Sequence, residues 1–176
     1  MDHLKGKKRI SLKQGGGAVG VAVVLLALAA CITPLHPVVT LEPGVSLKGY
    51  RVFLVAPVTD ATGAPFDLQV TDSLRREIVD RLQSHGLQVA PKDVDTTDDL
   101  LLITTTLVFF RGRSNQVELP RPSVDVECRL RSELRDPRTG RRLGEIVASD
   151  LGARRPLTVL NECAHDLADA IYRLQR

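Results

Sequence analysis

The sequence predicts an α+β fold, a two-layer sandwich in which two helices cover one face of a mainly antiparallel sheet. Apolar and charged side chains alternate over residues 124–135, which is typical of a strand with one face in the core and one in water. Two other segments, one in each half of the chain, place apolar residues at helical spacing. Helices and sheet of this kind bury their apolar faces by packing together, so we expect two layers.

The first half of the folded part predicts two strands on either side of a helix. Alternating side chains indicate a strand over residues 50–56, and the polar loop at 59–65 ends it. A helix then continues to His85, and Gly86 is suited to a left-handed cap at its end. A short strand over 87–90 comes next. The apolar positions of the helix are Val70, Leu74, Ile78 and Leu82.

The second half predicts three longer strands and a closing helix. Residues 100–110 are rich in β-branched and large apolar side chains, which favours a strand. The alternating strand over 124–135 reaches an Asp-Pro-Arg-Thr-Gly turn at 136–140, and a partner strand follows over 142–149. The apolar stripe of the last helix consists of Leu157, Leu160, Ala164, Leu167, Ile171 and Leu174.

The N-terminus has the organisation of a bacterial lipoprotein signal peptide. A basic segment precedes an uncharged apolar run over residues 18–30, which is too short to cross a bilayer comfortably as a helix. The run ends in Leu28-Ala29-Ala30-Cys31, which resembles the lipobox of bacterial lipoproteins. The resemblance implies transfer of diacylglycerol to the Cys31 sulfur and cleavage between Ala30 and Cys31. The alternative is an ordinary signal peptide followed by an incidental cysteine.

These features divide the chain into three parts. We expect a signal peptide over 1–30, a lipidated, proline-rich tether over 31–48 and a periplasmic α/β domain over 49–176. The covalent lipid on Cys31 would hold the protein to the membrane, because each buried acyl methylene contributes about 0.8 kcal/mol. No other cofactor is expected. Ile32 follows the cysteine, and by resemblance to the enteric sorting rule this favours the outer over the inner membrane.

Several short sequences, in their order along the chain, resemble those of uncharacterised envelope lipoprotein domains. They are a first strand similar to Val-x-Val-Ala-Pro at 52–57, Gly-Leu-x-Val at 86–89, Phe-Phe-Arg-Gly-Arg at 109–113 and Asp-x-x-Thr-Gly at 136–140. More broadly the chain is similar to the superfamily that contains the curli secretion lipoprotein and lipopolysaccharide-assembly and transport-auxiliary lipoproteins. The resemblance implies a non-enzymatic envelope role. A glycine-rich stretch expected after the third strand is replaced by residues 114–122.

Cys128 and Cys163 are the cysteines that remain once Cys31 is used for the lipid. Cys128 has the inward parity of its strand, and Cys163 borders the apolar stripe of the last helix. A disulfide between them is therefore feasible in an oxidising compartment. Its loop of about 36 residues would stabilise the fold by about 3–4 kcal/mol on the chain-entropy model. The alternative is a pair of buried free thiols.

Arg129, Arg131 and Arg135 share the outward face of one predicted strand. A patch of guanidinium groups suits the phosphates of lipopolysaccharide or phospholipid, which arginine binds with two hydrogen bonds. The alternative is a solvated sheet face, because Glu127 and Glu133 are interleaved with these arginines.

Composition and motifs argue against several other classes of protein. The leader contains 5 of the 24 basic residues and 1 of the 21 acidic residues, so the remaining chain is close to neutral, unlike a nucleic-acid-binding domain. Aromatic residues are only 3% and Trp is absent, which disfavours base-stacking platforms. We find no motif for a nucleophile, phosphate loop or dinucleotide. The acidic run at 93–99 lacks the glycine and closing glutamate of a calcium loop, so no metal is expected.

We therefore expect a membrane-anchored lipoprotein that acts as a non-enzymatic binding or assembly component of the cell envelope. Its partners would be the membrane, through the lipid, and an envelope protein or lipid that the sequence does not name. No nucleic acid is expected among them. The alternatives are a lipid or lipopolysaccharide transport auxiliary and a secretion-channel subunit.

Overall fold

Seven strands and two helices follow one another along the part of the chain that the structure describes. The computed structural model describes residues 36–63, 68–91, 94, 97–111, 126–152 and 154–176, and the signal peptide and Cys31 lie outside them. The elements are β1 (Val38–Leu41), β2 (Val52–Val55), β3 (Thr59–Asp60), α1 (Leu68–Ser84), β4 (Gln88–Val89), β5 (Leu100–Arg111), β6 (Val126–Arg135), β7 (Arg142–Gly152) and α2 (Pro156–Gln175).

The strands form one sheet in the order β1-β7-β6-β5-β2-β4, and β3 pairs with β5. The pairs β1–β7, β7–β6 and β6–β5 are antiparallel. The shorter strands β2 and β3 each pair in parallel with β5, and β4 pairs in parallel with β2. Both helices pack against the sheet and against each other. The predicted two-layer α+β architecture is thus confirmed.

The core lies between the helices and the inner face of the sheet. On β6, residues 126, 128, 130, 132 and 134 are buried and their neighbours are not, as the alternating sequence predicted. Turns position the neighbouring elements. At the hairpin between β6 and β7, Gly140 has a φ of 68°, and its N–H donates to the Asp136 carbonyl over 2.8 Å. Glycine adopts this left-handed conformation without the steric cost that a side chain brings.

The helix ends also follow the sequence. Gly86 has a φ of 79°, and the Leu87 N–H donates to the Leu82 carbonyl over 3.1 Å, which is the hydrogen bond of a left-handed helix cap. Pro156 opens α2, where the absence of an N–H costs nothing. The apolar stripes of both helices reach the core with one correction. Leu157, predicted as part of the α2 stripe, is 59% exposed in the first turn of that helix, where Val159 is buried instead. The fully buried members include Leu74, Ile78, Leu82, Ala164, Leu167 and Ile171.

The segment predicted as a tether over 31–48 partly belongs to the domain. Residues 38–41 form β1 and pair with residues 144–147 of β7. Leu47 is buried in the core, and the Gln175 side-chain amide donates to its carbonyl over 2.7 Å. Prolines surround this strand without entering it, because an edge strand tolerates proline at its ends. The described domain therefore starts before residue 49.

The described helices cover only one face of the sheet. We call the other side the open sheet face and define it by the outward residues of the three long strands. They are Leu102, Thr104, Thr106, Phe109 and Arg111 on β5, Glu127, Arg129, Arg131, Glu133 and Arg135 on β6, and Arg142, Glu145, Val147, Ser149 and Leu151 on β7. None of these residues is buried in the described part of the chain. In this part, no helix is long and apolar enough to cross a bilayer.

Candidate functional site

The open sheet face carries arginines and glutamates in cross-strand contact. At one end, Arg111 and Arg129 both approach Glu127, with nitrogen–oxygen distances of 3.2 and 3.6 Å. The Arg129 guanidinium also lies 5.9 Å from the centre of the Phe109 ring, in a cation–π arrangement. One carboxylate therefore serves two guanidinium groups at this end of the face.

The same pattern continues toward the hairpin. Arg131 and Arg142 both approach Glu145, at 3.6 and 2.7 Å, and the Arg135 Nε donates to Glu133 over 3.0 Å. We call these five arginines and three glutamates the charge ladder. Each ion pair is partly exposed, so it contributes about 0–1 kcal/mol to stability. Two more arginines than glutamates leave the ladder with an excess of positive charge.

The structure brings the predicted anion-patch residues Arg129, Arg131 and Arg135 together on one face. Each of them already contacts a glutamate, two of which, Glu127 and Glu133, come from the same strand. A phosphate would therefore have to compete with a carboxylate for each guanidinium. The arrangement resembles the interleaved face that we gave as the alternative, and an anion site here stays a prediction.

Cys128 and Cys163 meet in the core, where β6 and α2 bring them side by side. Both are free, buried thiols in this structure. The Cys163 Sγ lies 3.4 Å from the carbonyl oxygen of Ala148 and 3.9 Å from that of Cys128. A hydrogen bond from Cys163, followed by burial, raises the pKa of the Cys128 thiol. A protonated, buried thiol is a poor nucleophile, and the disulfide stays a prediction for the oxidised protein.

A second buried polar pair lies in the same core. Thr105 and Ser132 face each other across β5 and β6, and their hydroxyl oxygens are 2.7 Å apart. Both residues are fully buried. Each hydroxyl thereby satisfies the other, which removes the cost of burying an unpaired polar group. In the sequence, this pair was indicated only by Ser132, a polar residue at an inward position of the alternating strand.

Asp169 connects the end of α1 to α2. Its carboxylate accepts a hydrogen bond from the Arg81 Nε over 2.7 Å and is hydrogen-bonded to the His85 Nε2 at 2.6 Å. The His85 ring stacks on Tyr172, with ring centres 4.2 Å apart. The hydrogen bond from Arg81 is the main cause that lowers the pKa of Asp169 to about 2. We call Arg81, His85, Asp169 and Tyr172 the helix clasp.

Glu77 also connects α1 to α2, one helical turn before Arg81. It lies 3.0 Å from the His165 Nε2 and accepts a hydrogen bond from the Asn161 side chain over 3.3 Å. These contacts join residues more than 80 positions apart, so no local pattern in the sequence indicated them. They fasten the two helices to each other.

The acidic run at 93–99 is only partly described. Asp98 pairs with Arg138 at 2.8 Å, and Asp99 accepts a hydrogen bond from the Thr97 hydroxyl over 2.7 Å. Asp93 and Asp95 lie outside the described residues. Among the residues that are described, no three His, Cys, Asp or Glu side chains come close enough to hold a metal ion.

The fold is similar to that of solved bacterial proteins. A variant of PelC from Paraburkholderia phytofirmans, described as a dodecamer, superimposes with a TM-score of 0.53 at 16% identity, over 79% of this chain and 97% of that one. PelC in another crystal form gives 0.52 at 14% identity, over 79% and 96%. Lipoprotein GNA1162 from Neisseria meningitidis gives 0.42 at 15% identity, over 69% and 98%.

These comparisons establish a shared fold. No protein-family model matches the sequence, and none of the curated proteins matches it. The PelC likeness extends over almost the whole length of that protein. Bacterial lipoproteins from Neisseria meningitidis and Acinetobacter baumannii are among the solved structures with weaker likeness.

Proposed function

We propose that the protein is a lipid-anchored lipoprotein of the bacterial envelope that acts without catalysis, by binding or assembling with another envelope component. The open sheet face carries this proposal. It presents a charge ladder with excess positive charge and the exposed aromatic ring of Phe109. Arginine and aromatic side chains are enriched in protein interfaces, so this face is suited to a partner.

The anchor in this proposal is a lipid on Cys31. Leu28-Ala29-Ala30-Cys31 supports it, because small residues before the cysteine let the processing peptidase approach the backbone and the cysteine sulfur accepts the lipid. Residues 36–37 lead directly into β1, so little chain would separate the lipid from the domain. We place the domain on the periplasmic side of the envelope, at the outer membrane.

Metabolic labelling tests the anchor. Cells that express the full chain are grown with labelled palmitate, and the protein is followed by mass and by membrane flotation. We expect label in the wild type and none in Cys31→Ser, which should also keep its signal peptide. Cys128→Ser is the matched control and should be labelled normally. Absence of label from the wild type, or unchanged processing of Cys31→Ser, would refute the lipid anchor.

A ring-forming subunit, as in a secretion channel, is a more specific candidate. The PelC structures of the same fold are described as dodecamers. On this chain, Glu162 and Asp166 present carboxylates on α2, and neither forms an ion pair among the described residues. Burial, followed by the neighbouring carboxylates, raises the pKa of Asp166. Arginines from another copy would relieve this repulsion.

A contact between the charge ladder of one copy and α2 of the next would join two different surfaces. Such head-to-tail contacts generate rings when the rotation between copies closes. The full lipidated chain, purified in detergent, is measured by native mass spectrometry. We expect a multi-copy assembly that Asp166→Arg dissociates and that Arg131→Glu restores in the double variant, whereas Asp80→Arg on α1 leaves it intact.

The same measurement separates the candidates. A wild-type mass equal to one chain would exclude the ring. A monomer that carries tightly bound phospholipid or lipopolysaccharide would favour a transport auxiliary in its place. Multi-copy assembly that survives Asp166→Arg would keep a ring but reject the proposed contact surfaces.

A further inference from the structure

We propose that one end of the domain is a contact surface for the headgroups of an anionic phospholipid bilayer. We call it the anchor-proximal end, and it comprises the end of β5, the ends of β6 and β7 that adjoin it and the first turn of α2. The inference rests on the proposed lipid on Cys31 and adds which part of the domain faces the lipid.

Three of the five large exposed apolar side chains of the described part lie at this end. The large apolar residues that are exposed in the described part of the chain are Val38, Val39, Phe109, Leu151 and Leu157. Those at this end, Phe109, Leu151 and Leu157, come from three different elements. Soluble domains expose single apolar residues everywhere, but a cluster of them marks a contact surface.

The strand register places Phe109 and Leu151 at the same end of the sheet, whereas Val38 and Val39 pair with Val147 and Ile146, nearer the middle of β7. Phe109 pairs with Arg129 on β6, and the neighbouring Glu127 pairs with Leu151 on β7. Leu157 lies in the first turn of α2, directly after β7 ends at residue 152. At 59% exposure, Leu157 is the most exposed of the five.

Arginines surround the apolar residues. Arg111 and Arg129 share the single carboxylate of Glu127, and Arg154 pairs with Asp150. Arg155 is exposed and makes no ion pair among the described residues. Four guanidinium groups against two carboxylates give this end positive charge. Apolar side chains surrounded by basic ones are the composition of surfaces that lie against anionic headgroups.

The described chain begins with a segment that leads from β1 toward this same end. β1 is antiparallel to β7, and its first residue, Val38, pairs with Val147. The segment before Val38 therefore leaves β1 in the direction in which β7 continues toward Leu151. Cys31 is seven residues before Val38, and an extended chain of that length spans at most about 25 Å. A lipid on Cys31 would hold the anchor-proximal end beside the bilayer.

The opposite end of the sheet has a different composition. The β6–β7 hairpin lies about 30 Å farther along β7 at the usual strand rise. It carries Arg138, Arg141 and Asp136, and no exposed large apolar residue is found there in the described part. Charge alone is thus common to both ends, and the apolar cluster distinguishes the anchor-proximal end.

Fluorescence quenching on vesicles tests this assignment with the full lipidated protein. Leu157→Cys and Leu151→Cys place a dye at the anchor-proximal end, and Arg138→Cys places it at the hairpin as the matched control. Cys128 and Cys163 are buried and free, and the unsubstituted protein measures any dye that they take up. The vesicles contain phosphatidylcholine, with or without phosphatidylglycerol, and iodide is the aqueous quencher.

We expect iodide to quench the dye at residues 151 and 157 about threefold less than at residue 138 on vesicles with phosphatidylglycerol. The protection should weaken without the anionic lipid and disappear when the protein is in detergent. Equal quenching at all three positions on protein that floats with the vesicles would overturn the contact surface and leave the anchor intact. Protein that does not float would instead contradict the proposed lipid anchor.

Discussion

Asp169 joins the helices through two partners, and its removal gives a quantitative test of the structure. The Arg81 guanidinium beside it holds the pKa of this carboxyl at about 2, compared with an ordinary value of 3.8. A change of this size corresponds to about 2.5 kcal/mol of preference for the charged form. The Asp169 side chain is 30% exposed to solvent. Because solvent screens the interaction, the stabilisation is reduced to about 1 kcal/mol.

The pH dependence has a definite sign. A carboxyl whose pKa is lower in the folded than in the unfolded state stabilises the fold when both states are ionised, above about pH 5. This contribution falls as protons bind the unfolded chain first, and it is lost as the pH drops through about 2. Asp169→Asn should therefore destabilise the protein by about 1 kcal/mol at pH 7, and the difference from the wild type should be about half as large at pH 3.

Urea unfolding at pH 7, 5 and 3 measures this difference. Asp80→Asn is the matched control, because Asp80 is an exposed carboxylate on α1, directly before Arg81. We expect that substitution to change the free energy of unfolding by less than about 0.5 kcal/mol at every pH. A difference between wild type and Asp169→Asn that stays constant from pH 7 to 3 would refute the assignment of this stability to the Asp169 carboxylate.

Three further predictions test the core and the edge of the sheet. If Cys128 and Cys163 form a disulfide in the oxidised protein, its melting temperature should fall when reductant is added and should not fall in Cys163→Ala; equal melting of the wild type in both buffers would contradict the bond. Thr105→Val and Ser132→Ala should each cost about 1–3 kcal/mol in urea unfolding, because each leaves the partner hydroxyl unpaired, and the double variant should cost less than the sum. Additive costs would show that the hydroxyls do not interact. Gly144→Ala should speed amide hydrogen exchange in β1 well before that in β6, because its new methyl group would meet a backbone oxygen of β1 at 2.6 Å; unchanged exchange would show that β1 can shift.

The architecture was predictable where a pattern is local. The alternation in β6 required only that neighbouring side chains point to opposite faces, and the core confirms every inward position from 126 to 134. The turn at 136–140 and the cap at Gly86 were equally local, because they depend on which residues tolerate a left-handed backbone. The helix stripes needed only a period of 3.6 residues. In these parts of the chain, the local sequence is enough to predict the local structure.

The parts that sequence reasoning missed depend on contacts between distant segments. β1 has only four residues, with Pro37 and Pro43 on either side, and nothing local distinguishes it from a tether; its partner strand decides its conformation. The helix clasp joins His85 to Asp169, residues 84 positions apart, through the packing angle of two helices. No pattern within a single helix predicts such a pair.

The charge ladder shows why one strand is not enough to assign an anion site. Seen along β6 alone, Arg129, Arg131 and Arg135 are a positive row interrupted by glutamates of the same strand. The register adds Glu145 from β7 beside Arg131. It also adds Arg111 from β5 and Arg142 from β7. The net charge of a sheet face is therefore a property of three aligned strands. The arginines of the charge ladder outnumber its glutamates, so this charge stays positive after every glutamate is counted, although each arginine already contacts one.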